Sequence, residues 1–356
     1  MVCRATVFLL VRVPCPFTMR RMPCVRHQGM RWEVAPEFAL EPDQVLAVPG
    51  ETVKRATMTL VTRHRLAGRV FYVKRYLHEA RPFSRLEYFF WPPKSRREWK
   101  YAPRLRHRGV PVVPHLAHGE CWGWCGLLES TLITEGLPGY ELLSTIGDPD
   151  APELQCALGR FVRRMHDAGV VYLDIAPQNL VYARGEHKFC LIDVDKVAFL
   201  PAVDEQRRVA HLAVFHSRFS LTEAFYESYG GGIARRAAEI AERAKVIRAV
   251  TMTRLSRRCL KHAHEVVTRR IGGLKWHIHR AYLDETLEKI LENPDAFLGT
   301  ANGFVVQRFR SRSAKQAYRE AYRQERLGEA ALRPVAAADK RVLGFVVRGY
   351  FVAKLP

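Results

Sequence analysis

The sequence predicts an α+β fold of two lobes, a small one built on an antiparallel sheet and a larger, mainly helical one. Three observations lead to this prediction. A strand pattern with one interior cation, Lys74, precedes a helix pattern that carries Glu98. A second helix pattern ends shortly before a loop that contains Asp174 and Asn179. A hairpin pattern then returns the chain to a further acid, Asp193.

The small lobe is predicted over residues 31–136. Its central strand covers residues 69–76, an apolar segment in which Lys74 is the interior cation. The helix that follows opens after two prolines and contains Ser95 and Glu98. The three-residue spacing of these two fits a capping box, so Glu98 either caps its own helix or pairs with Lys74.

The larger lobe is predicted over residues 137–270. Apolar spacing predicts a helix, a two-stranded hairpin and an amphipathic helix, which cover residues 154–165, 179–192 and 211–229. Gly169 supplies the C-terminal stop of the first helix. This order of helix, loop, hairpin and acid brings the loop beside the acid that follows the hairpin.

The loop and the hairpin place an acid, an amide and a second acid at the spacing used for metal-dependent phosphoryl transfer. In that chemistry Asp174 accepts the proton of the attacking hydroxyl, while Asn179 and Asp193 bind the Mg²⁺ ions that bridge the phosphates of ATP. Magnesium prefers oxygen ligands, and these residue types supply them. Taken singly, each would be an ordinary turn residue. The expected order of Lys74 and Glu98 upstream favours the catalytic interpretation.

The phosphate-binding loop is the least regular part of the pattern. No glycine-rich loop precedes Lys74, and Lys54, Arg55 and Thr57 lie where that loop belongs. Together with Thr59 they either hold phosphates with two cations and two hydroxyls, or form a solvated basic turn.

An apolar strand breaks into a Gly/Pro turn at the end of the small lobe. Glu135, Gly136 and Leu137 lie at this break. In a kinase the main-chain groups of such a hinge bind adenine, so these three residues are the candidates for that contact.

Together these motifs resemble the bacterial lipopolysaccharide kinase family, which comprises Kdo and core-heptose kinases. The resemblance covers residues 45–230 and is carried, besides the acids, by residues 73–76, 95–99, 109–114 and 132–139. Members have a bilobal, protein-kinase-like fold and use ATP and Mg²⁺ to phosphorylate a sugar of the lipopolysaccharide inner core at the cytoplasmic face of the inner membrane.

The resemblance implies a role for each matching residue. Lys74 and Glu98 would be the phosphate-positioning pair, Asp174 the catalytic base, and Asn179 and Asp193 the magnesium ligands. The hinge segment would bind adenine.

The chain also departs from the usual kinase pattern. Tyr172 stands before the catalytic acid where many kinases have histidine, so the loop must be braced differently. Asp195 is either a further acid near the metal or a surface acid. Only a short segment follows Asp193 before the next helix, which suits a small molecule or glycan acceptor better than a docked peptide.

The alternatives to a sugar kinase are a pseudokinase scaffold that binds a partner or membrane, and a kinase of the same fold with another small-molecule or protein acceptor. Retention of all five matching residues favours an enzyme. The missing glycine loop and Tyr172 favour a scaffold.

The formal net charge of +21 predicts attraction to polyanions. Arginines are spread through helices and not gathered with aromatics in a nucleic-acid module, which argues against a specific nucleic-acid partner. Peripheral contact with an anionic membrane is the better match, although an arginine-rich genome explains the charge equally well. No stretch is long enough to span a bilayer and no secretory signal is evident, which predicts a cytoplasmic protein. The sequence leaves the oligomeric state open.

Two terminal segments are set apart from the kinase-like region. Residues 1–30 are expected to be a disordered extension or the product of a misassigned start. Residues 271–356 form an appendage in which residues 303–309, 318–322 and 343–352 echo the order of strand, helix and hinge strand. The appendage is either a partial, degenerate second small lobe, with Gln307 in place of the lysine, or a plain addition.

Overall fold

The computed structural model describes residues 24–27, 29–56, 58–78, 82–261, 265–310, 312–328, 330–343 and 345–355. These residues form two compact units. The first unit contains the chain up to His211 together with Phe219–Ala234, and the second contains Leu212–Arg218 and everything from Arg235 onwards.

The first unit begins with an antiparallel sheet and the helices that pack on it. Its elements, in chain order, are β1 (Cys24–His27), β2 (Met30–Val34), α1 (Pro42–Ala47), β3 (Glu51–Ala56), β4 (Thr59–Leu66), β5 (Arg69–Leu77), α2 (Pro82–Glu87), α3 (Lys94–His107), β6 (His115–Gly123) and β7 (Gly126–Glu135). Among the described residues, seven strands pair in the order β1-β2-β6-β7-β5-β4-β3.

Strand β5 is an interior strand of this sheet, between β7 and β4, and its two faces differ in polarity. Phe71 and Val73 are buried in the apolar core with Trp32 and Leu116. Side chains alternate along a strand, so Lys74 is on the other face. The sheet therefore presents the predicted phosphate-binding lysine on the face opposite Phe71 and Val73, toward α3.

The rest of the first unit is mainly helical. Its elements are β8 (Tyr140–Leu142), α4 (Pro152–Asp167), β9 (Val170–Tyr172), β10 (Leu180–Ala183), β11 (Lys188–Leu191), β12 (Val197–Phe199), α5 (Glu205–His216) and α6 (Glu223–Tyr229). Strands β8, β10 and β11 form one small sheet, and β9 pairs with β12. The last residues of α5 belong to the second unit.

The prediction of one continuous helix over residues 211–229 is wrong. The chain leaves the helix after His216 and enters α6 at Glu223. Gln155 on α4 fixes the break, because its amide nitrogen donates to the carbonyl of Ser220 and its oxygen accepts from the amide of Thr222. Apolar spacing alone could not reveal this side-chain contact.

The second unit is a sheet with helices on both faces. Its elements are α7 (Ala237–Arg258), β13 (Val266–Ile271), β14 (Leu274–His279), α8 (Glu285–Glu292), β15 (Gly299–Ala301), β16 (Phe304–Phe309), α9 (Ala314–Leu327), β17 (Arg333–Val342) and β18 (Phe345–Lys354). Its strands pair in the order β13-β14-β17-β18-β16-β15. One face packs against α8 around Trp276 and Leu287, and the other against α9 around Tyr318 and Phe351.

The two sheets have the same succession of elements apart from β3 and α2. In each, a hairpin, a helix, a second hairpin, a second helix and a third hairpin follow one another, and the third hairpin lies between the other two in the sheet. This topology supports the second-small-lobe interpretation of the appendage, which stays a prediction.

The predicted segment boundaries differ from those of the structure. The division between units falls at Ala234 and not at residue 270. The predicted extension, residues 1–30, overlaps the β1–β2 hairpin, and its first 23 residues lie outside the described part of the chain. The α+β class is confirmed, whereas the two-lobed arrangement of the first unit stays a prediction.

Candidate active site

Strand β5 and helix α3 bring a lysine and a glutamate together. The Nζ atom of Lys74 donates a hydrogen bond of 3.0 Å to Oε2 of Glu98. Glu98 is fully buried, and its other oxygen accepts a hydrogen bond of 2.9 Å from the hydroxyl of Tyr76. Tyr76 lies two residues after Lys74, on the same face of the strand. Both carboxylate oxygens are thus engaged, and the lysine is held in one position.

Each charge of this pair stabilises the other. Burial would lower the pKa of Lys74, but the charges of Glu98 and Asp193 outweigh it and raise this pKa above its ordinary value. Burial would raise the pKa of Glu98, but the ammonium of Lys74 outweighs it and holds this pKa well below its ordinary value. The two groups therefore form a charged pair at neutral pH.

The capping interpretation of Glu98 is wrong. Helix α3 begins at Lys94 and its N-cap is Pro93, so Ser95 lies inside the first turn. The hydroxyl of Ser95 lies 3.2 Å from Nε2 of His118. A capping box needs the serine at the N-cap position, which it does not occupy here.

The loop between β9 and β10 carries Asp174 and Asn179. The side chain of Asp174 is 32% exposed, so an acceptor can reach it. Asn179 ends a short turn of 3-10 helix, Pro177–Asn179, and is buried. Its Nδ2 donates a hydrogen bond of 3.0 Å to the main-chain oxygen of Asp174. This bond orients the carboxamide so that its oxygen is the atom left to bind a cation.

Asp193, two residues after the end of β11, has two features of a functional carboxylate. Its backbone φ is +59°, in the left-handed region that few non-glycine residues adopt. Its Oδ1 is buried without a hydrogen-bond partner and lies 3.8 Å from Nζ of Lys74. Burial raises the pKa of Asp193 to about 6, because the charge of Lys74 only partly offsets it. Backbone strain and an unsatisfied buried oxygen are typical of sites that bind a ligand.

Tyr172 joins the Asp174 loop to the Asp193 segment. Its hydroxyl lies 2.7 Å from the main-chain oxygen of Asp193 and 3.1 Å from that of Ile192. The amide of Ile192 in turn donates to the main-chain oxygen of Asn179. The tyrosine thus braces the loop at the position where the usual kinase pattern has histidine.

A buried chain of hydrogen bonds holds the main chain of this tyrosine in place. His211 donates from Nε2 to the carbonyl of Tyr172, because a carbonyl can only accept. Its Nδ1 therefore accepts from Nε2 of His166, whose Nδ1 accepts from the hydroxyl of Tyr229. Arg208 donates to the same hydroxyl. Burial lowers the pKa of His211 to about 4 and that of His166 well below its ordinary value, so both imidazoles are neutral.

Lys196 is a site residue that the sequence reasoning missed. Its Nζ atom lies 2.8 Å from Oδ2 of Asp174. This hydrogen bond raises the pKa of Lys196, so the side chain carries a positive charge directly beside the predicted base. One feature of the sequence could have indicated this role: Lys196 lies three residues after Asp193, on the segment that passes beside the loop of Asp174.

Asp195 is a buried ion-pair partner and not a surface acid. Its Oδ2 accepts a hydrogen bond of 3.1 Å from a guanidinium nitrogen of Arg97. Arg97 immediately precedes Glu98 on α3. The pair therefore ties the helix of the buried glutamate to the segment that follows Asp193.

The three hinge residues lie where β7 ends. The amide of Glu135 donates to the carbonyl of Pro114, and that of Gly136 donates to the carbonyl of Val70. The carbonyl of Leu137 accepts from the amide of Tyr140. Two of the three predicted hinge amides are thus already used within the protein.

Lys54 and Arg55 lie on β3, at the edge of the sheet, and Thr57 lies outside the described residues. Lys54 is paired in register with Val61, which is paired with Lys74. Directly opposed residues share a face, so Lys54 is on the face of Lys74, two strands away. Arg55 is next along the strand and is on the other face.

A metal site cannot be recognised from side-chain clustering alone. Within the described ranges, no group of three or more His, Cys, Asp and Glu residues could hold a metal ion. Asp193 and Asn179 nevertheless offer the hard oxygen donors that magnesium prefers, and Asp193 Oδ1 is unsatisfied. In the same ranges, no helix combines the length and hydropathy needed to cross a bilayer.

Comparison with known proteins gives matches over this region. The model of the lipopolysaccharide kinase (Kdo/WaaP) family matches residues 40–229. A curated relative, a probable serine/threonine-protein kinase BUD32 homolog of Archaeoglobus fulgidus, is 26% identical over 170 residues, which are 45% of this chain and 80% of that protein.

Two solved structures are similar at lower identity. The structure of WaaP in complex with acyl carrier protein covers 61% of this chain and 98% of its own, with 21% identity and a TM-score of 0.44. That of an aminoglycoside-3'-phosphotransferase of type VIII covers 53% and 91%, with 17% identity and a TM-score of 0.39. Since the family model alone matches more than half of the 356 residues, this chain is a kinase of the lipopolysaccharide kinase (Kdo/WaaP) family.

Proposed function

We propose that this kinase transfers the γ-phosphoryl group of ATP, with Mg²⁺, to a hydroxyl of a Kdo or heptose sugar in the lipopolysaccharide inner core. Family membership supports the reaction class. The observation that best supports the proposal is the position of the Lys74 ammonium, which lies 3.0 Å from Glu98 and 3.8 Å from Asp193. Residues more than a hundred positions apart thus surround one place where phosphates can bind.

In this proposal the nucleotide lies against the first sheet. Lys74, held by Glu98, binds the α- and β-phosphates. Lys54 is on the same face and can contact the same phosphates. Because the amides of Glu135 and Gly136 are engaged, we assign the adenine contact to the amide of Leu137 and to hinge carbonyl groups.

Asp193 and Asn179 are the residues that would hold Mg²⁺. Asp193 offers an unsatisfied buried oxygen, and Asn179 has an oriented carboxamide. When bound, the ion supplies positive charge that neutralises the phosphates.

Asp174 is the proposed base for the acceptor hydroxyl. Its partial exposure lets a sugar approach, and acceptance of the hydroxyl proton makes the oxygen a better nucleophile. Lys196 neutralises the carboxylate in the free protein, and a cation at this position would stabilise the charge of the phosphoryl group during transfer. We assign Lys196 to that electrostatic role.

The chain after Asp193 favours a small acceptor. Helix α5 begins at Glu205, so little chain is available to dock a peptide. A lipid-borne sugar would also place the enzyme in the cytoplasm, at the inner face of the bacterial inner membrane.

The test is phosphate transfer to rough-core lipopolysaccharide, with labelled ATP and Mg²⁺ and with mass spectrometry of the released core sugars. We expect one phosphate on a Kdo or heptose residue, and a rate about 10²–10⁴-fold lower for Asp174→Asn. Asp204→Asn, which keeps the N-cap acceptor of α5, serves as the matched control and should remain active. Equal label with wild type and Asp174→Asn would rule out the enzyme.

A protein acceptor is the second candidate, because the curated relative is named as a probable serine/threonine-protein kinase. The same assay with a protein acceptor separates the two. Transfer to serine or threonine, with none to core sugar, would favour this second candidate. Binding of ATP without transfer to either acceptor would favour a pseudokinase scaffold.

A further inference from the structure

The second sheet repeats the order of the first without its lysine. On β5, Lys74 follows the buried Val73 and is on the face toward α3. On β16, the residue after the buried Val306 is Gln307. An uncharged amide therefore stands where the first sheet has its phosphate-binding cation.

The counterpart of the glutamate is not buried. The Arg97-Glu98 step of α3 recurs on α9 as Arg319-Glu320, but Glu320 is 46% exposed and pairs with Arg323 on its own helix. The second sheet thus lacks the buried pair and cannot position phosphates in the same way.

The most exposed apolar group of the second sheet lies at the turn of its longest hairpin. Val342, Leu343, Phe345 and Val347 are 51%, 93%, 77% and 46% exposed, and we call these four residues the apolar tip. Val342 and Phe345 are cross-strand partners next to the turn. Large side chains exposed together in this way usually mark a binding surface.

Cations lie directly behind the apolar tip. Lys340 and Arg348 are cross-strand partners, and both are exposed. Arg341 precedes the tip. Two acids accompany them: Asp339 pairs with Arg341, and Asp295 pairs with Arg348. The group keeps a net positive charge.

A second group of cations lies beside Asp339, since Lys275 precedes Trp276, the cross-strand partner of Ala338, and Lys315 follows Ala314, whose amide donates to Asp339. Burial lowers the pKa of Lys315, and the charges of Arg341, Lys275 and Arg319 lower it further although Asp339 opposes them. Such mutual effects require the cations to be near one another. We call Lys275, Lys315, Lys340, Arg341 and Arg348 the cationic collar.

We infer that the apolar tip and the cationic collar dock the second unit on an anionic phospholipid bilayer. Apolar side chains enter the boundary between headgroups and acyl chains, and the cations behind them meet lipid phosphates. A nucleic acid would use the collar but not the tip. An apolar protein groove would use the tip but not the collar. The inference rests on the proposed function for the relevance of a membrane, but the binding itself needs no catalysis.

The test is co-sedimentation of the full chain with vesicles of phosphatidylglycerol and phosphatidylethanolamine, compared with vesicles of phosphatidylcholine. Wild type should bind the anionic vesicles, and more weakly at high salt. The double variant Leu343→Ser/Phe345→Ser should lose at least about tenfold in partitioning, since two apolar side chains no longer enter the bilayer. Val246→Ser/Val250→Ser on α7 is its control, with exposed valines of the same unit, and should bind as wild type.

The collar is tested separately. Lys340→Gln should lower partitioning about fivefold, whereas Lys289→Gln on α8 should leave it unchanged. Unchanged binding of the tip variant, or equal binding of wild type to both kinds of vesicle, would overturn the inference. Loss of self-association without loss of vesicle binding would assign the tip to a second copy of the chain and would overturn it too.

Failure of the docking surface is distinguishable from failure of the proposed function. Asp174→Asn should bind vesicles as wild type does. The tip variant should phosphorylate a lipid-free core sugar normally and a vesicle-embedded one more slowly. If no sugar is phosphorylated while vesicle binding still depends on the tip, the proposed function fails and the docking surface stands.

Discussion

Lys74 and Glu98 form a buried ion pair, and removal of one partner from such a pair strongly destabilises a folded protein. Replacement of Lys74 by methionine leaves the Glu98 carboxylate buried without its cation. We expect the free energy of unfolding to fall by about 3–5 kcal/mol, as measured by urea denaturation.

The double variant Lys74→Met/Glu98→Met is the control for this prediction. It removes both charges, and most of the lost stability should return while phosphate transfer stays absent. Equal stability of the single variant and wild type would mean that the pair contributes no more than a surface contact.

Lys196 is expected to act on the rate and not on nucleotide binding. Lys196→Ala removes the cation beside Asp174, and we expect kcat to fall by about 10²-fold with little change in KM for ATP. Steady-state kinetics measure both constants. Lys188→Ala, on β11 and paired with the neighbouring Glu186, is the control. A change in KM alone would place Lys196 at the nucleotide.

Residue spacing predicted those site residues whose chemistry is local to a motif. Asp174 and Asn179 share one loop, and the interior charge of Lys74 stands out in an apolar strand. Lys196 and Tyr76 could not be recognised in this way. Each is an ordinary residue of its segment, and its role depends on a partner that only the folded chain brings near.

At the scale of elements, the sheet register places the two adjacent cations of β3 on opposite faces of the sheet. Lys54 is in the row of Lys74, whereas Arg55 is in a row with Leu60 and Arg75 on the other face. Lys54→Ala should raise KM for ATP several-fold, about the factor expected for one lost phosphate contact. Arg55→Ala is the matched control and should leave KM unchanged. Equal effects of both would favour the solvated basic turn.

The repeat of elements in the second unit was only partly accessible to the sequence. The echo of residues 303–309 and 318–322 came from side-chain patterns. The hairpin β13–β14 and the helix α8 carry no motif that resembles their counterparts in the first sheet, so only strand pairing relates them. We propose that residues 266–355 are a second, degenerate copy of the small sheet.

At the scale of the whole molecule, buried neutral histidines set the response to acid. Burial lowers the pKa of His211 to about 4 and that of His118 to about 3, and it lowers that of His166 as well. In the unfolded chain each titrates near 6.5. Between these values the unfolded state binds more protons, so their contribution to stability is complete above pH 6.5 and is lost as the pH falls toward 4.

Urea denaturation at a series of pH values measures this effect. The pH dependence of the unfolding free energy should correspond to about two protons in this range, because the raised pKa of Asp193 offsets about one of the three. His107→Gln, at the exposed end of α3, should leave the slope unchanged. A flat profile between pH 6.5 and 4.5 would show that these histidines are protonated in the folded state.

Overall charge was predictable from composition, but its distribution was not. The excess of 21 positive charges predicts only that the protein attracts polyanions. The apolar tip and its collar depend on the register of β17 and β18, which a count of arginines does not contain.

The burial of Glu98 has a consequence for regulation. An outward swing of α3 would part the carboxylate from Lys74 and Tyr76, and would also pull Arg97 away from Asp195. Leaving even one of these charges buried without its partner costs about 3–5 kcal/mol. The conformation with a displaced α3 would therefore be populated in fewer than about one molecule in a hundred. The buried pair is therefore already formed in the free protein, and we do not expect movement of α3 to switch the enzyme on or off.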